Sequence, residues 1–277
     1  MIKDLESIFI GSHANIMDAF TSLEKSNKPI ITSDKWKRDE GGGGHTFVIQ
    51  DGNFFDNCAV NFSSIAGKKL PKAALGKSIS QSSKYGYRAM GVSVIAHPKN
   101  PFIPTSHMNI RLFCVMGINN TIKKWWIGGG YDLTPYLPFK DDCINWHKEA
   151  KENLDLYNKS FYKNFSKNCN EYFYIPHRKE RRGIGGLFFD NLSNMTLEKS
   201  TNMLSGIANT YLESYQSIIS KRKTSKFSKE QKEFQLLRRG RYAEFNLLYD
   251  RGTKFGLQTG GNVEGILMSL PPIAKWN

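Results

Sequence analysis

The sequence predicts an α+β fold: a single domain with a large, mainly antiparallel β-sheet flanked by helices on both faces. Strand patterns dominate the first half of the chain and helical patterns the second. The links between the strand-like runs are short enough for hairpins, which favours antiparallel pairing over a doubly wound parallel sheet. No repeat and no linker-like segment divides the chain, so one domain is expected over residues 1–277.

The first half is predicted to be a helix followed by strands. Residues 1–25 space their apolar side chains helically. Trp36 opens a polar segment that leads into Gly41 to Gly44, and this glycine run is predicted to be a flexible loop that could cover a ligand. A phosphate-binding loop is rejected because no Lys-Ser/Thr pair and no helix follow. A hairpin turn at 51–53 joins two strands. Later strands are predicted at 91–97, 107–116 and 123–127, with a loop over 128–135.

The second half is predicted to be mostly helical. One helix is expected over 141–168, and a short aromatic segment then leads to a basic, glycine-containing loop over 178–186. The strand 187–190 precedes two helices, roughly 196–220 and 228–238. The C-terminal part is predicted to contain a strand over 241–249, a loop over 250–254, a turn at 260–261 and a strand over 264–270.

Two of the predicted strands share a polar face that makes a candidate site. Side chains alternate between the faces of a strand, so His107, Asn109 and Arg111 lie on one face of the second of these strands. Ser93 and His97 lie on one face of the first, and the opposite face of both is apolar. Since the planar fork of arginine donates two hydrogen bonds to a carboxylate, this face is suited to a carboxylated ligand.

Composition narrows the classes of partner. The 39 basic and 25 acidic residues give a net charge of +14, which is compatible with nucleic acid, an acidic small molecule or a lysine-rich surface. No nucleic-acid-binding motif is recognised, so nucleic acid is not expected. The 4 cysteines form no C-x-x-C pair, which fits free thiols in a reducing cytoplasm. No apolar run approaches the ~18 residues that a membrane span needs.

Four histidines raise the question of a metal. His97, His107, His147 and His177 could bind a divalent cation, but their spacing matches no compact motif, so hydrogen-bonded structural roles stay open. For His107, which shares a face with Asn109 and Arg111, acid/base chemistry or substrate contact is the alternative to a structural role.

Asp132 and a basic loop are the remaining candidates. Asp132 follows three glycines and could be a turn residue, a carboxylate held at the sheet, or both. Arg178, Arg181 and Arg182 lie among glycines and could be a solvated surface or an anion clamp. From the residues alone, the ligand is a multiply carboxylated molecule of unknown identity.

Several long stretches resemble the oxygen-dependent coproporphyrinogen III oxidase family, in family order and over most of the chain. They read GGGGHTFVIQDGNFFDNCAVNFS, GVSVIAHPKNPFIPTSHMNIRLF, WWIGGGYDLTPYLP, YFYIPHRKERRGIGGLFFDNL and RRGRYAEFNLLYDRGTKFGLQTGGNVEGILMSLPP. The resemblance implies oxidative decarboxylation of the ring A and B propionates of coproporphyrinogen III to vinyl groups. Protoporphyrinogen IX would form in haem biosynthesis, with O2 consumed and CO2 and H2O2 released.

The resemblance also implies cofactors, partners and roles. No organic redox cofactor is expected, a divalent metal on the four histidines is possible, and a homodimer would form through residues 241–277. His107 is implied as a proton donor, Asp132 as the group that holds pyrrole N–H groups, and Arg182 as an assisting arginine at a propionate. The substrate contacts implied by position are Ser93, Asn109, Ile110, Arg111, Gly260, Gly261 and Asn262.

One residue departs from the family pattern. Asn262 stands where an arginine is usual, and an amide cannot form a charged bidentate pair with a carboxylate. Weaker anchoring there makes a non-catalytic or weakened tetrapyrrole-binding relative the alternative reading. A metal-dependent hydrolase using the histidines is a further rival.

Overall fold

One seven-stranded antiparallel sheet organises the protein, in the order β1-β2-β3-β4-β5-β6-β9. The computed structural model describes residues 2–24, 29–71, 85–258 and 263–276. The strands of the sheet are β1 (Ile30–Lys37), β2 (Gly42–Gln50), β3 (Phe55–Gly67), β4 (Gly86–Pro98), β5 (Thr105–Met116), β6 (Ile122–Thr134) and β9 (Gly185–Leu192). A separate two-stranded pair is formed by β7 (Tyr174–Ile175) and β8 (Glu180–Arg181).

Seven α-helices occur in the described residues. They are α1 (Ile2–Thr21), α2 (Lys140–Asp155), α3 (Phe161–Tyr172), α4 (Leu197–Arg222), α5 (Lys229–Leu248), α6 (Arg251–Gln258) and α7 (Val263–Leu267). Within these residues, no helix combines the length and the apolar character needed to cross a bilayer.

Both faces of the sheet are covered, as predicted. The main core lies on the face that carries Val94, Met108 and Ile110, and α1 to α4 pack against it. On the opposite face, Ile95 belongs to a smaller cluster with Tyr242 of α5. The alternation predicted for β4 and β5 is confirmed, because their even-numbered apolar side chains are buried in the main core.

Two segments predicted as loops are parts of strands. Glycines 42–44 begin β2 instead of forming a covering loop, and β1 pairs with them. A Cβ on Gly44 would lie 2.4 Å from the Trp36 indole, so the glycine leaves room for that ring. Residues 128–134, also predicted as a loop, complete β6.

The helix predicted over 141–168 is two helices. Between α2 and α3, the Asn158 side chain accepts hydrogen bonds from the backbone N–H and hydroxyl of Ser160. Such a side-chain turn competes with helical hydrogen bonding and separates the two segments.

The largest error concerns residues 241–270, which are helical where strands and a loop were predicted. Tyr242, Phe245 and Asn246 are buried at the three- and four-residue spacing of a helix, and they extend α5 to Leu248. Asp250 then begins α6 by accepting a hydrogen bond from the Thr253 backbone N–H. Residues 263–267 form the short α7, so the strand predicted over 264–270 is wrong.

Candidate active site

The candidate site lies on the polar face of the sheet, where register aligns the predicted residues. Ser93 of β4 lies opposite Asn109 of β5. His107 of β5 lies opposite Asp132 of β6. Directly opposed residues of an antiparallel pair point to the same face, so the pairing brings together four of the residues that the sequence singled out.

A buried carboxylate with two basic partners forms the centre of the site. Asp132 is 2% exposed. Arg182 Nη2 donates to Asp132 Oδ1 and Oδ2 at 2.8 and 2.7 Å, and His107 Nδ1 lies 3.0 Å from Oδ1. Burial by itself raises the pKa of Asp132, but the charge of Arg182 and the contact with His107 outweigh it and leave that pKa below its ordinary value. Asp132 is therefore ionised.

Arg182 is enclosed by residues that sequence reasoning had not placed beside it. Its guanidinium lies 4.1, 4.3 and 4.8 Å from the ring centroids of Phe173, Tyr242 and Phe245. Arg182 Nη1 donates to Asn246 Oδ1 at 2.7 Å. The sequence signal was available in the helical spacing of 242, 245 and 246, but the strand reading of that segment hid it.

This enclosure bears on the role expected for Arg182. The side chain is 3% exposed, and both of its terminal nitrogens are already bonded to Asp132 and Asn246. Because the side chain is nearly inaccessible and enclosed by three aromatic rings, a propionate could reach it only if this enclosure opened. The geometry makes Arg182 a residue that positions Asp132 and keeps it charged.

A second arginine is open to solvent and suited to a carboxylate. Arg111 is 44% exposed, with Nη1 donating to Asn109 Oδ1 at 2.9 Å and Nη2 lying 3.2 Å from Asp190 Oδ1. Gly128 lies opposite Arg111 in β6, and a Cβ there would be 2.7 Å from Arg111 Nε. The glycine therefore provides the space in which the guanidinium lies. Arg251 approaches the same Asp190 carboxylate at 3.9 Å.

Four of the expected substrate contacts do not place a side chain on the polar face of the described structure. The Ile110 side chain is fully buried on the opposite, apolar face, so only its backbone can meet a ligand on the polar face. Gly260, Gly261 and Asn262 lie outside the described residues.

The four histidines each have separate partners. His97 is fully buried and lies 3.0 Å from both Thr105 Oγ1 and the Ser269 carbonyl oxygen. His147 lies 3.0 Å from the Ile184 carbonyl oxygen. Among the described residues, no three His, Cys, Asp or Glu side chains are grouped to hold a metal ion. The four histidines are thus not grouped in this structure, and a bound divalent metal stays a prediction.

The fourth, His177, is engaged away from Asp132. Its Nδ1 lies 2.7 Å from the Tyr249 hydroxyl, and its Nε2 lies 2.7 Å from Glu244 Oε2. The carboxylate of Glu244 also accepts two hydrogen bonds from Arg178. Arg178 therefore belongs to this separate ionic cluster rather than to the site around Asp132.

His107 is the titratable group best placed to exchange a proton with a ligand. It is 23% exposed, whereas Asp132 behind it is nearly inaccessible. Since Nδ1 faces Asp132, the carboxylate orients the ring and leaves Nε2 without a hydrogen bond to any described residue. An imidazole held in this way can donate or accept a proton at Nε2 while the carboxylate stabilises its charged form.

Comparison with known proteins identifies the family. The family model described as coproporphyrinogen III oxidase matches residues 4–277. An oxygen-dependent coproporphyrinogen-III oxidase of Francisella tularensis subsp. novicida (strain U112) is 43% identical over 281 residues, covering 99% of this chain and 90% of the relative. The protein of the same description from Francisella philomiragia subsp. philomiragia is 44% identical with the same coverage.

Proposed function

Because the chain belongs to the coproporphyrinogen III oxidase family, we propose that it catalyses the oxygen-dependent oxidation of coproporphyrinogen III in haem biosynthesis. It is accordingly an oxidoreductase. We assign the reaction to the polar face of the sheet because the ionised, buried Asp132 lies there beside the accessible His107. The same face also carries Arg111.

The reaction is an oxidative decarboxylation at two propionates, on rings A and B. At each, the β-carbon loses a hydrogen, the bond to the carboxylate carbon breaks, and the remaining two carbons become a vinyl group. Two electrons pass to O2, which takes up the hydrogen removed from the β-carbon and one proton from solvent and leaves as H2O2, while the carboxylate leaves as CO2. Two such steps give protoporphyrinogen IX.

The proposed binding roles follow the exposure of the groups. Arg111 would hold a propionate through two hydrogen bonds from its planar guanidinium. Ser93 and Asn109 would donate or accept further hydrogen bonds beside it. Gly260, Gly261 and Asn262 are proposed as further contacts because they match the family's binding segment. Asn262 would supply a neutral amide where an arginine is usual, so the remaining arginines would carry more of the charge recognition.

The proposed proton chemistry centres on His107. Its Nε2 would accept a pyrrole N–H and make that ring electron-rich enough to react with O2, which starts the removal of hydrogen from the β-carbon. Asp132 would stabilise the resulting imidazolium, and Arg182 would keep Asp132 ionised. Asp132 thus assists deprotonation through His107 rather than by direct contact.

We also propose that O2 is the electron acceptor without an organic redox cofactor, as the resemblance implies. The four histidines do not fit a single divalent-metal centre in this chain, so no step is assigned to a metal ion. A metal held in another way is examined by the chelator arm of the experiment below.

The deciding experiment is oxygen uptake by the purified protein supplied with anaerobically prepared coproporphyrinogen III. We expect uptake together with protoporphyrin fluorescence after oxidation, in the presence and absence of a chelator. Tight binding without uptake would favour the non-catalytic relative, and Asn262→Arg would then be tested for restored turnover. The absence of both oxygen uptake and substrate binding would refute the function.

We further propose that the protein is a cytoplasmic homodimer. Exposed apolar side chains accumulate in the C-terminal region, where an interface over 241–277 is expected, and they include Leu247, Leu248, Leu257 and Val263. All four cysteines are free, which agrees with a reducing compartment.

A further inference from the structure

A groove between α2 and α3 lies apart from the polar face of the sheet. It consists of two adjoining cavities of about 710 and 550 Å³, which share Tyr162, Ser166, Asn170 and Arg181. Arg181 and Ile184 line it, and Arg182, the residue that follows Arg181, is buried. One short segment thus presents one arginine to the groove and another to Asp132.

The groove has an excess of positive charge. Lys140, Lys163 and Arg181 line it and make no ion pair with any described residue. Glu171 is the acidic residue in the lining, and it lies 3.8 Å from Lys167, which reduces its effect. The groove therefore favours a ligand that carries carboxylates or other anionic groups.

Two hydrogen-bond acceptors in its wall have no donor. His147 Nε2 lies 3.0 Å from the Ile184 carbonyl oxygen, so Nε2 carries the proton and Nδ1 presents a lone pair. His147 Nδ1 and Asn170 Oδ1 are both buried without a hydrogen-bond partner. A ligand that supplies N–H donors would satisfy such acceptors.

The lining is also partly apolar. Ile144 is 51% exposed and Tyr174 is 41% exposed, and both line the groove with Tyr162 and Ile184. Large apolar side chains left open beside unpaired cations are typical of surfaces that bind an amphipathic anion.

We propose that this groove is a second binding site for a reduced tetrapyrrole, the substrate or the product of the reaction. This inference rests on the proposed function. A porphyrinogen has pyrrole N–H donors around its centre, an apolar ring framework and carboxylates at its periphery. The groove offers the complementary pattern, with acceptors in its wall, apolar side chains and cations along its rim.

The position of the groove suggests how a second binding site would serve the reaction. A molecule bound there lies against the back of the segment that carries Arg182, so it is held close to the protein without occupying the polar face. The groove would hold the oxygen-sensitive tetrapyrrole before it enters the polar face or after it leaves, and it would raise the local concentration of that molecule.

Equilibrium dialysis under argon tests the proposal, because turnover cannot occur without O2. Coproporphyrinogen III is the probe, and the bound amount is measured as porphyrin fluorescence after oxidation. We expect two molecules per chain for the wild type. In the double variant Lys140→Glu with Lys163→Glu, the groove site should bind roughly tenfold more weakly or not at all, because two attractions become repulsions. Asn170→Leu should weaken the same site through loss of an acceptor.

A matched control separates the groove from net charge. Lys226→Glu with Lys229→Glu makes the same charge change at two exposed lysines, one between α4 and α5 and one at the first residue of α5, and it should leave two molecules bound. Saturating oxygen uptake should stay within about twofold in all these variants, since Asp132 and His107 are unaltered.

The outcomes distinguish this inference from the function itself. One molecule per chain in the wild type, lost in Arg111→Ala, would overturn the second site while leaving the enzyme assignment standing. Two molecules retained in both the groove double variant and Asn170→Leu would also overturn it. No binding together with no oxygen uptake would overturn the proposed function, and this inference with it.

Discussion

Asn246 connects the C-terminal part of the chain to the charged centre of the site. Its Oδ1 accepts from Arg182 at 2.7 Å, and its Nδ2 donates to Ser269 Oγ at 3.3 Å. It therefore holds the guanidinium that in turn holds Asp132. A residue that touches no ligand can still set the geometry on which proton transfer depends.

We expect Asn246→Leu, which removes both hydrogen bonds at similar volume, to lower kcat roughly tenfold or more with little change in KM. The stability cost should be about 1–3 kcal/mol, because a buried charged donor loses its acceptor. Steady-state oxygen uptake and urea unfolding measure the two effects.

Gln235→Leu is the matched control for this substitution. Gln235 is fully buried on the same helix and donates to the Pro98 carbonyl oxygen at 3.0 Å. Its replacement should lower stability similarly while leaving kcat unchanged. An equal loss of kcat in both variants would show that Asn246 acts through stability alone.

Gly128→Ala tests whether the space beside Arg111 matters. A Cβ at 128 would lie 2.7 Å from Arg111 Nε, so the guanidinium must move, and we expect KM to rise roughly tenfold with a smaller effect on kcat. Gly11→Ala is the control, since nothing lies within 4 Å of its added Cβ. In the middle of α1 it should stabilise by about 0.5–1 kcal/mol. Unchanged KM in Gly128→Ala would contradict the role of Arg111.

At the scale of elements, the C-terminal tail, here the segment that contains Trp276, is bound to α5 through the carboxylate of Glu244. Glu244 of α5 accepts hydrogen bonds from Arg178 and from the Trp276 indole, and it contacts His177. The hydrogen bonds from Arg178 lower the pKa of Glu244 most, and although burial opposes them, the pKa falls from 4.5 to about 2. The tail is thus held by an ionised carboxylate.

This shift gives the protein an acid-sensitive contribution to stability. A carboxyl group with a lowered folded-state pKa stabilises fully above its unfolded-state value and loses that effect as the pH falls toward its folded-state value. We therefore expect the urea midpoint of the wild type to fall between pH 4.5 and about 2 more steeply than that of Glu244→Gln. Glu180→Gln, which removes a more exposed carboxylate paired with Arg238, should keep the wild-type slope. Parallel curves for wild type and Glu244→Gln would contradict this account.

The same elements show what sequence alone can predict. Alternation on β4 and β5 was read correctly because one face is apolar and the other polar along both strands. Residues 241–249 were misread as a strand because buried Arg239 and Asn246 interrupt the apolar helical stripe with polar groups. The enclosure of Arg182 depends on α5, so its positioning role could not be derived from the strands. The separate partners of the four histidines likewise depend on tertiary contacts.

At the scale of the whole molecule, the exposed apolar side chains of the C-terminal region call for a partner surface. Leu248 and Leu257 are 50% and 42% exposed. We expect Leu248→Glu with Leu257→Glu to convert a dimer to a monomer in sedimentation equilibrium, because charges would be buried at the interface. Leu156→Glu is the control, since Leu156 is 77% exposed at the end of α2 and outside this region. A dimer that survives the double substitution would place the interface elsewhere.

The chain order of the charged centre has a consequence for biosynthesis. Strands β1 to β6 pair as successive neighbours, so much of the sheet can form from local hairpins as the chain emerges. Asp132 belongs to this early part, but Arg182 and Asn246 are synthesised later. A partly synthesised chain would contain a carboxylate in the sheet without its guanidinium, and burying it alone is costly. During synthesis, Asp132 can therefore be buried beside its full set of partners only after α5 has been made.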